Sequence, residues 1–316
     1  MKEEKVFTII VTYNPNIKVF ERQLKSLSIQ LRQIIIVDNN SINFSEIESI
    51  CQSFIGKYGL SIHFIPNSSN MGLGKAQNQG IDYARNHKAY FVLLLDQDSV
   101  LEDNFLKELL LSHDTLKNGG LKVGAVGPIY YNEATQEVYP ISRYFGPFLK
   151  RIKPSKIVTP ASFLIASGSL IPINVLDEVG DMDENLFIDY VDLEWAFRAS
   201  KFGYYLFAVP NARMMHAIGE NNFNVGGKQM ANHIPLRRYY LFRNSLLLLR
   251  NKYVSHWFKL REIFFIGLRF VIFFIAAQDK KKYLQYSYWG FCDGLKGVGG
   301  MCKHQLNDSY KTAIGK

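Results

Sequence analysis

Tyr90-Phe91-Val92-Leu93-Leu94-Leu95-Asp96-Gln97-Asp98 decides how this chain reads. An apolar run closed by two acids is a buried strand meeting solvent at its C-terminal end. In an α/β sheet that end is where ligands bind. Two carboxylates one residue apart can share a divalent cation. A polar turn is the plainer alternative, since Asp and Ser are common turn residues.

The surrounding pattern supports such a sheet. Val6–Val11 is a β-branched run broken by Thr12-Tyr13-Asn14-Pro15, and apolar residues at 20, 24, 27 and 31 then mark a helix. Ile34–Val37 is a second strand, ending at Asp38-Asn39-Asn40-Ser41. A helix near Phe44–Tyr58 precedes strand Ser61–Ile65. The loop Asn67–Gly74 opens a helix to about Asn86. Strands alternating with helices predict an α/β fold whose central sheet is mostly parallel and flanked by helices. A dinucleotide-binding dehydrogenase is excluded: it needs glycines in the first strand-to-helix turn, and Thr12–Asn16 has none.

Downstream, Val123–Pro128 reads as a strand and Tyr130–Ile157 as irregular connections with a basic patch (Lys150, Arg151, Lys153, Lys156). Ala166-Ser167-Gly168-Ser169 is small enough for close backbone approach to a ligand. An acidic helix is expected over about Asn185–Phe202, with Asp189 and Asp192 on one face and Glu194 paired to Arg198 at i+4. A solvated helix face would explain those acids as well. Beside Phe187, Tyr190 and Trp195, a partly desolvated carboxylate gains basicity. Strand Tyr204–Val209 leads to His216.

Net charge is +9, unevenly spread: residues 201–316 hold 18 basic and 5 acidic side chains, a balance of +13, which leaves −4 for residues 1–200. Such asymmetry implies an anionic partner. Basic residues interleaved with bulky apolar ones, as in Arg237–Arg243 and Trp257–Arg261, favour a membrane surface over nucleic acid. Ile263–Ala277 would extend about 22 Å as a helix against a hydrocarbon core of roughly 30 Å. With Arg269 in its middle, an interfacial or packed helix is expected rather than a span. A dimer contact or a helix covering the sheet is the other reading. Scattered Cys51, Cys292 and Cys302 fit a reducing compartment and no disulfide framework.

Taken in order, the motifs resemble the inverting glycosyltransferases of family 2, of GT-A fold, and within them the bacterial rhamnosyltransferase branch. They are Thr12-Tyr13-Asn14-Pro15, Val37-Asp38-Asn39-Asn40-Ser41, Asn70–Gly80, Leu95-Asp96-Gln97-Asp98, Ala166-Ser167-Gly168-Ser169, Phe187–Trp195 with Arg198, His216, and Arg238-Tyr239-Tyr240 with Arg243-Asn244. The resemblance covers about residues 5–300.

It implies a nucleotide-sugar site formed by Thr12, Tyr13, Asn14, Asp38, Asn40, Asn70, Gly72, Lys75, Asn78, Asp96 and Gln97. Asp98 with His216 would hold Mn²⁺ or Mg²⁺ on the diphosphate. Ser167, Gly168, Trp195 and Arg198 would meet the acceptor. Many relatives carry Glu-Asp where this chain has Val191-Asp192, so Asp192 is the expected general base. Asp189 is its alternate, and Glu194 would orient the acceptor or pair with Arg198.

The implied domains are a GT-A catalytic domain, residues 1–225, and a basic, apolar helical region, 226–316, at a membrane surface. The first would hold a nucleotide-sugar half (about 1–100) and an acceptor half (about 101–225). The implied reaction moves L-rhamnose from dTDP-L-rhamnose to a lipid-linked saccharide of a bacterial surface polysaccharide. It would take place at the cytoplasmic face of the cell membrane, with a UDP-hexose donor as the near alternative and a homodimer possible. A nucleotidyltransferase would need a Gly-rich basic loop near the N-terminus, which Thr12–Asn16 does not supply. A non-catalytic membrane-binding protein would have no use for the acids.

Overall fold

The computed structural model describes residues 5–133, 135–215, 222–225, 228–231, 235–277 and 279–304. It divides into two compact units, Met1–Met182 with Asp192–Ile218, and Asp183–Val191 with Gly219–Lys316. The second unit takes in a short inner segment, Asp183–Val191.

The first unit opens with β1 (Val6–Thr12), α1 (Ile17–Ser28), β2 (Gln33–Asp38), α2 (Phe44–Tyr58), β3 (Ser61–Pro66), α3 (Leu73–Asn86) and β4 (Phe91–Asp96). Next come β5 (Val100–Leu101), α4 (Phe105–Asn118), β6 (Val123–Tyr131), β7 (Ile141–Phe145), β8 (Phe148–Ile152), β9 (Thr159–Ala161), β10 (Leu170–Pro172) and α5 (Ile173–Val179). Helix α6 (Val191–Lys201) and strand β11 (Tyr205–Met215) complete it.

Among the described residues the main sheet runs β3-β2-β1-β4-β10-β6-β11-β5, with β9 also on β11. The β3-β2-β1-β4 half is parallel, and β10 is antiparallel to both its neighbours. Strands buried on both faces read as continuous apolar runs, and β1, β2 and β4 are buried along almost their whole lengths. Helix α1 starts where the Asn16 side chain accepts the Lys18 and Val19 amides. Its Phe20, Leu24 and Leu27 then join the core.

The acidic helix is shorter than the sequence suggests. Phe187, Asp189 and Tyr190 have φ of 64°, 62° and 66°, so a right-handed helix cannot include them, and α6 begins at Val191. Asp189 and Asp192 therefore do not share a helical face. The stretch read as irregular, Tyr130–Ile157, holds the β7–β8 hairpin.

The second unit holds β12 (Asn222–Val225) paired with β13 (Lys228–Ala231), then α7 (Pro235–Arg250), α8 (His256–Ala276) and α9 (Lys280–Lys296). Gly290 brings α9 close to α7, since a Cβ there would stand 2.5 Å from the Tyr239 carbonyl oxygen. Phe242, Phe273 and Tyr283 join the three helices in one apolar cluster. Buried Glu262 of α8 accepts from Tyr190 (2.6 Å) and Ser245 (2.9 Å) and pairs with Arg269. The charge inside the apolar stretch thus has a buried partner.

Candidate active site

The chain leaves β1 for β2 on one side and takes up β4 on the other, so the ends of β1 and β4 frame the switch point of the sheet. Register places Thr12 beside Asp38 and Val11 beside Asp96.

Asp38 is fully engaged. Thr12 Oγ1 and Ser41 Oγ donate to its Oδ1 at 2.7 and 2.5 Å, and the Ser41 amide donates to Oδ2 at 2.8 Å. Thr12 and Asp38 are buried and form a floor, while Tyr13, Asn14 and Asn40 stand exposed above it. Asn14 and Asn40 take positive φ (49° and 68°), which asparagine tolerates. The Asn14 amide donates to Ser41 Oγ at 2.8 Å, and its side-chain oxygen accepts from the Ile42 amide at 2.8 Å.

Gln97 joins the two strand ends. Its Oε1 accepts from the Tyr13 amide at 2.8 Å, and its Nε2 donates back to the Tyr13 carbonyl at 3.3 Å. The backbone of Asp96 is held on both sides, its amide donating to Ser167 Oγ at 2.9 Å and its carbonyl accepting from Gln23 Nε2 at 2.6 Å. Ser167 and Ser99 hydroxyls meet at 2.7 Å. Gly168, at φ 86°, presses so close to β6 that a Cβ would stand 2.6 Å from Pro128 Cγ.

The Asn70 loop hangs on Asn39, which stands in the Val37–Ser41 motif with no role assigned from the sequence. Buried Asn39 donates to the Gly72 carbonyl at 3.3 Å and accepts from Asn67 (3.0 Å) and the Met71 amide (3.3 Å). Asn70 Oδ1 accepts from the Gly72 amide at 2.9 Å. Lys75 and Asn78 lie on α3. The Asn78 amide exchanges two hydrogen bonds, both 2.9 Å, with the Met182 backbone. In this structure it braces the main chain.

Asp192 sits in the first turn of α6, half-buried. With Leu94, Ala166, Met182 and Trp195 it lines a small cavity. Tyr130, which belongs to none of the motifs, donates to the Ser167 carbonyl at 2.8 Å. Burial, reinforced by the charges of Asp192 and Asp96, raises its phenol well above the ordinary tyrosine range. It is a neutral donor at any working pH.

The expected Glu194–Arg198 pair forms as a two-point bridge of 2.8 and 2.9 Å, with Glu194 1% exposed. Arg198 also donates to the Val179 and Asp181 carbonyls, and Trp195 to the Gly180 carbonyl. These three side chains fasten α6 to the segment before it. Asp189 belongs to the second unit, where Arg237 holds it.

Gln23 had a legible signal. It lies on the same helical face as Phe20 and Leu24, where a buried polar side chain needs a partner. Asn39 and Tyr130 carried none beyond their neighbours.

Among the described residues no three His, Cys, Asp or Glu side chains cluster as a metal site. His216 lies outside the described residues. Asp96 and Asp98, half-buried at the strand end, are hard oxygen donors of the kind Mg²⁺ and Mn²⁺ take, so the residues present fit such an ion as part of a set completed by diphosphate oxygens.

A parallel half-sheet with polar residues at its switch point and acids on the adjoining helix is the ligand-binding end of an α/β sheet. A family model for glycosyl transferase family 2 matches residues 8–180, and this chain belongs to that family of glycosyltransferases. It is 33% identical over 298 residues to the dTDP-rhamnosyl transferase RfbF of Shigella flexneri, covering 93% of this chain and 97% of that one. In three dimensions it is similar to GalNAc-T7, in a structure with UDP, GalNAc and Mn²⁺ (TM-score 0.57, 15% identity, 92% of this chain and 56% of that one). It is similar also to TarS of S. aureus (TM-score 0.57, 15% identity, 93% and 49%). The chain spans about half the length of those two structures. At that identity the likeness shows the fold, which is GT-A.

Proposed function

We propose that this chain transfers L-rhamnose, with inversion, from dTDP-L-rhamnose to a lipid-linked saccharide of a bacterial surface polysaccharide. The observation that carries the donor is the 33% identity to a dTDP-rhamnosyl transferase across nearly the whole of both chains.

The nucleotide end of the donor would lie over the Thr12–Asp38 floor, against Tyr13, Asn14 and Asn40. The sugar would reach toward Asp96, whose backbone is fixed by Ser167 and Gln23. Asp98 with His216 would hold Mn²⁺ or Mg²⁺, which neutralises charge on the departing diphosphate. Asp192 takes the proton from the acceptor hydroxyl. The new C–O bond forms at the anomeric carbon as the bond to the diphosphate breaks, and dTDP leaves with that electron pair. A half-buried carboxylate on a cavity wall suits that work.

The setting proposed is the cytoplasmic face of the membrane, with the second unit at the lipid. Trp257, Leu260, Phe264, Leu268, Val271 and Ile275 stand exposed along α8, and Lys280–Lys282 follow it exposed. Phe258, Glu262 and Phe273 are buried on the opposite side of that helix. No described helix is long and apolar enough to cross a membrane. A second copy of the chain on the same face would show instead as a dimer by light scattering.

The test is to incubate the purified protein with Mn²⁺ or Mg²⁺ and a panel of sugar nucleotides, with and without a lipid-linked saccharide. Slow hydrolysis of dTDP-L-rhamnose, and transfer when the acceptor is added, are expected. Turnover of a UDP-hexose instead would overturn the donor assignment. No turnover with any donor, metal or acceptor would overturn the whole.

A further inference from the structure

The β7–β8 hairpin is built in a way that unit folding alone does not require. Phe145 and Phe148 bracket a two-residue loop, Gly146-Pro147, in which Gly146 supplies a φ of 56°. Partners on a hairpin share a face, so the register Phe145↔Phe148 and Arg143↔Lys150 puts two aromatics and two cations on one side. The opposite face is the docked one: Tyr144 meets the rings of Phe163 and Phe197, both at 6.1 Å between centroids.

The outward face is costly in isolation. Like charges directly opposite on antiparallel strands repel, and Arg143 and Lys150 stand opposite with both cations over the Phe145 ring, at 5.0 and 5.6 Å from its centroid. Phe148 is 75% exposed. From Val138 to Leu176 the sequence contains no acid, while Lys153 and Lys156 add further positive charge. Among the described residues no carboxylate pairs with Arg143 or Lys150, and Phe148 stands exposed.

We propose that this hairpin is a membrane-docking finger that seats on anionic phospholipid, independently of α8. Phe148 enters the acyl boundary, and Arg143 and Lys150 contact headgroup phosphates. Lipid fits because it offers an apolar layer directly beneath a plane of negative charge. Each cation near such a surface contributes about a five-fold gain in binding.

The experiment is flotation of the full chain with phosphatidylglycerol-containing vesicles and with phosphatidylcholine vesicles. Phe148→Ser and Arg143→Ser/Lys150→Ser are tested beside an α8 variant, Phe264→Ser. Binding to anionic vesicles alone is expected, weakened about thirty-fold by the double variant and several-fold by Phe148→Ser, with donor hydrolysis unchanged. Phe148→Trp should add a fluorescence component that shifts to the blue with anionic vesicles, relative to the parent protein. Unchanged binding by both hairpin variants, or no blue shift from Phe148→Trp, overturns the proposal, as does equal binding to phosphatidylcholine. Donor hydrolysis is read separately, so loss of the transferase assignment and loss of this one are distinguishable.

Discussion

Arg237 grips Asp189 with both arms of its guanidinium: Nη2 lies 2.8 Å from Oδ1 and Nε 3.0 Å from Oδ2. A carboxylate held in this bidentate way has both oxygens committed to a charge-assisted pair. Asp192 lines a cavity on the sheet unit instead. The proposal of Asp192 as the base rests on this contrast between the two acids.

The first prediction follows. Asp192→Asn should lower kcat by about 10²–10⁴-fold while donor affinity, measured by calorimetry, stays near that of the parent. Asp189→Asn should act mainly on stability. Full turnover by Asp192→Asn would remove the assignment.

Asn244 carries the second. Its buried amide donates to the carbonyls of Leu186, Ile188 and Asp189 at 2.8, 2.7 and 3.0 Å, across the residues that hold positive φ. Arg243 holds the Asn185 and Leu186 carbonyls beside it. Asn244→Ala strips those acceptors and should cost about 1–3 kcal/mol by urea denaturation. An unchanged midpoint would mean that the turn is held by other groups.

The alternation of apolar runs and helices made the parallel half-sheet legible, because a strand covered on both faces has no polar positions to confuse its period. The crevice residues were legible because Thr12, Asp38 and Asp96 end strands. What escaped was support at a distance. Asn39 and Tyr130 hold main chain far away in sequence, and so does Gln23, whose burial the helical period showed but whose partner it did not; no local period records such contacts. The Phe187–Tyr190 turn was read as helix because its left-handed backbone is stabilised by Asn244 and Arg237, some 50 residues later.

The third prediction concerns Glu194. Its carboxylate, 1% exposed, is matched by Arg198, and removing one partner of a buried pair leaves the other charge uncompensated. Glu194→Ala should destabilise by about 3–5 kcal/mol. Glu194→Gln keeps the shape and part of the hydrogen bonding and should cost less. If Glu194→Ala folds with parental stability yet loses transfer, Glu194 acts on the acceptor rather than on α6.

The fourth is a pH effect from buried tyrosines. Burial pushes the Tyr240 phenol from its usual 10.0 up to about 12, and burial likewise raises Tyr239 and Tyr190. In the unfolded chain these groups lose their protons near 10, while the folded chain keeps them. Between those values the unfolded state binds fewer protons, so stability must fall as pH rises. The contribution is complete below pH 10 and is lost as pH climbs through about 12. Melting temperature by circular dichroism should therefore drop steeply between pH 10 and 12, and the share of phenolate absorbance that comes from the buried tyrosines should appear together with unfolding rather than before it. Tyr240→Phe removes the hydroxyl that accepts the Cys302 amide at 3.0 Å, so it should lower the melting point at pH 8 but flatten the alkaline slope. A slope as steep as that of the parent would assign the proton uptake elsewhere.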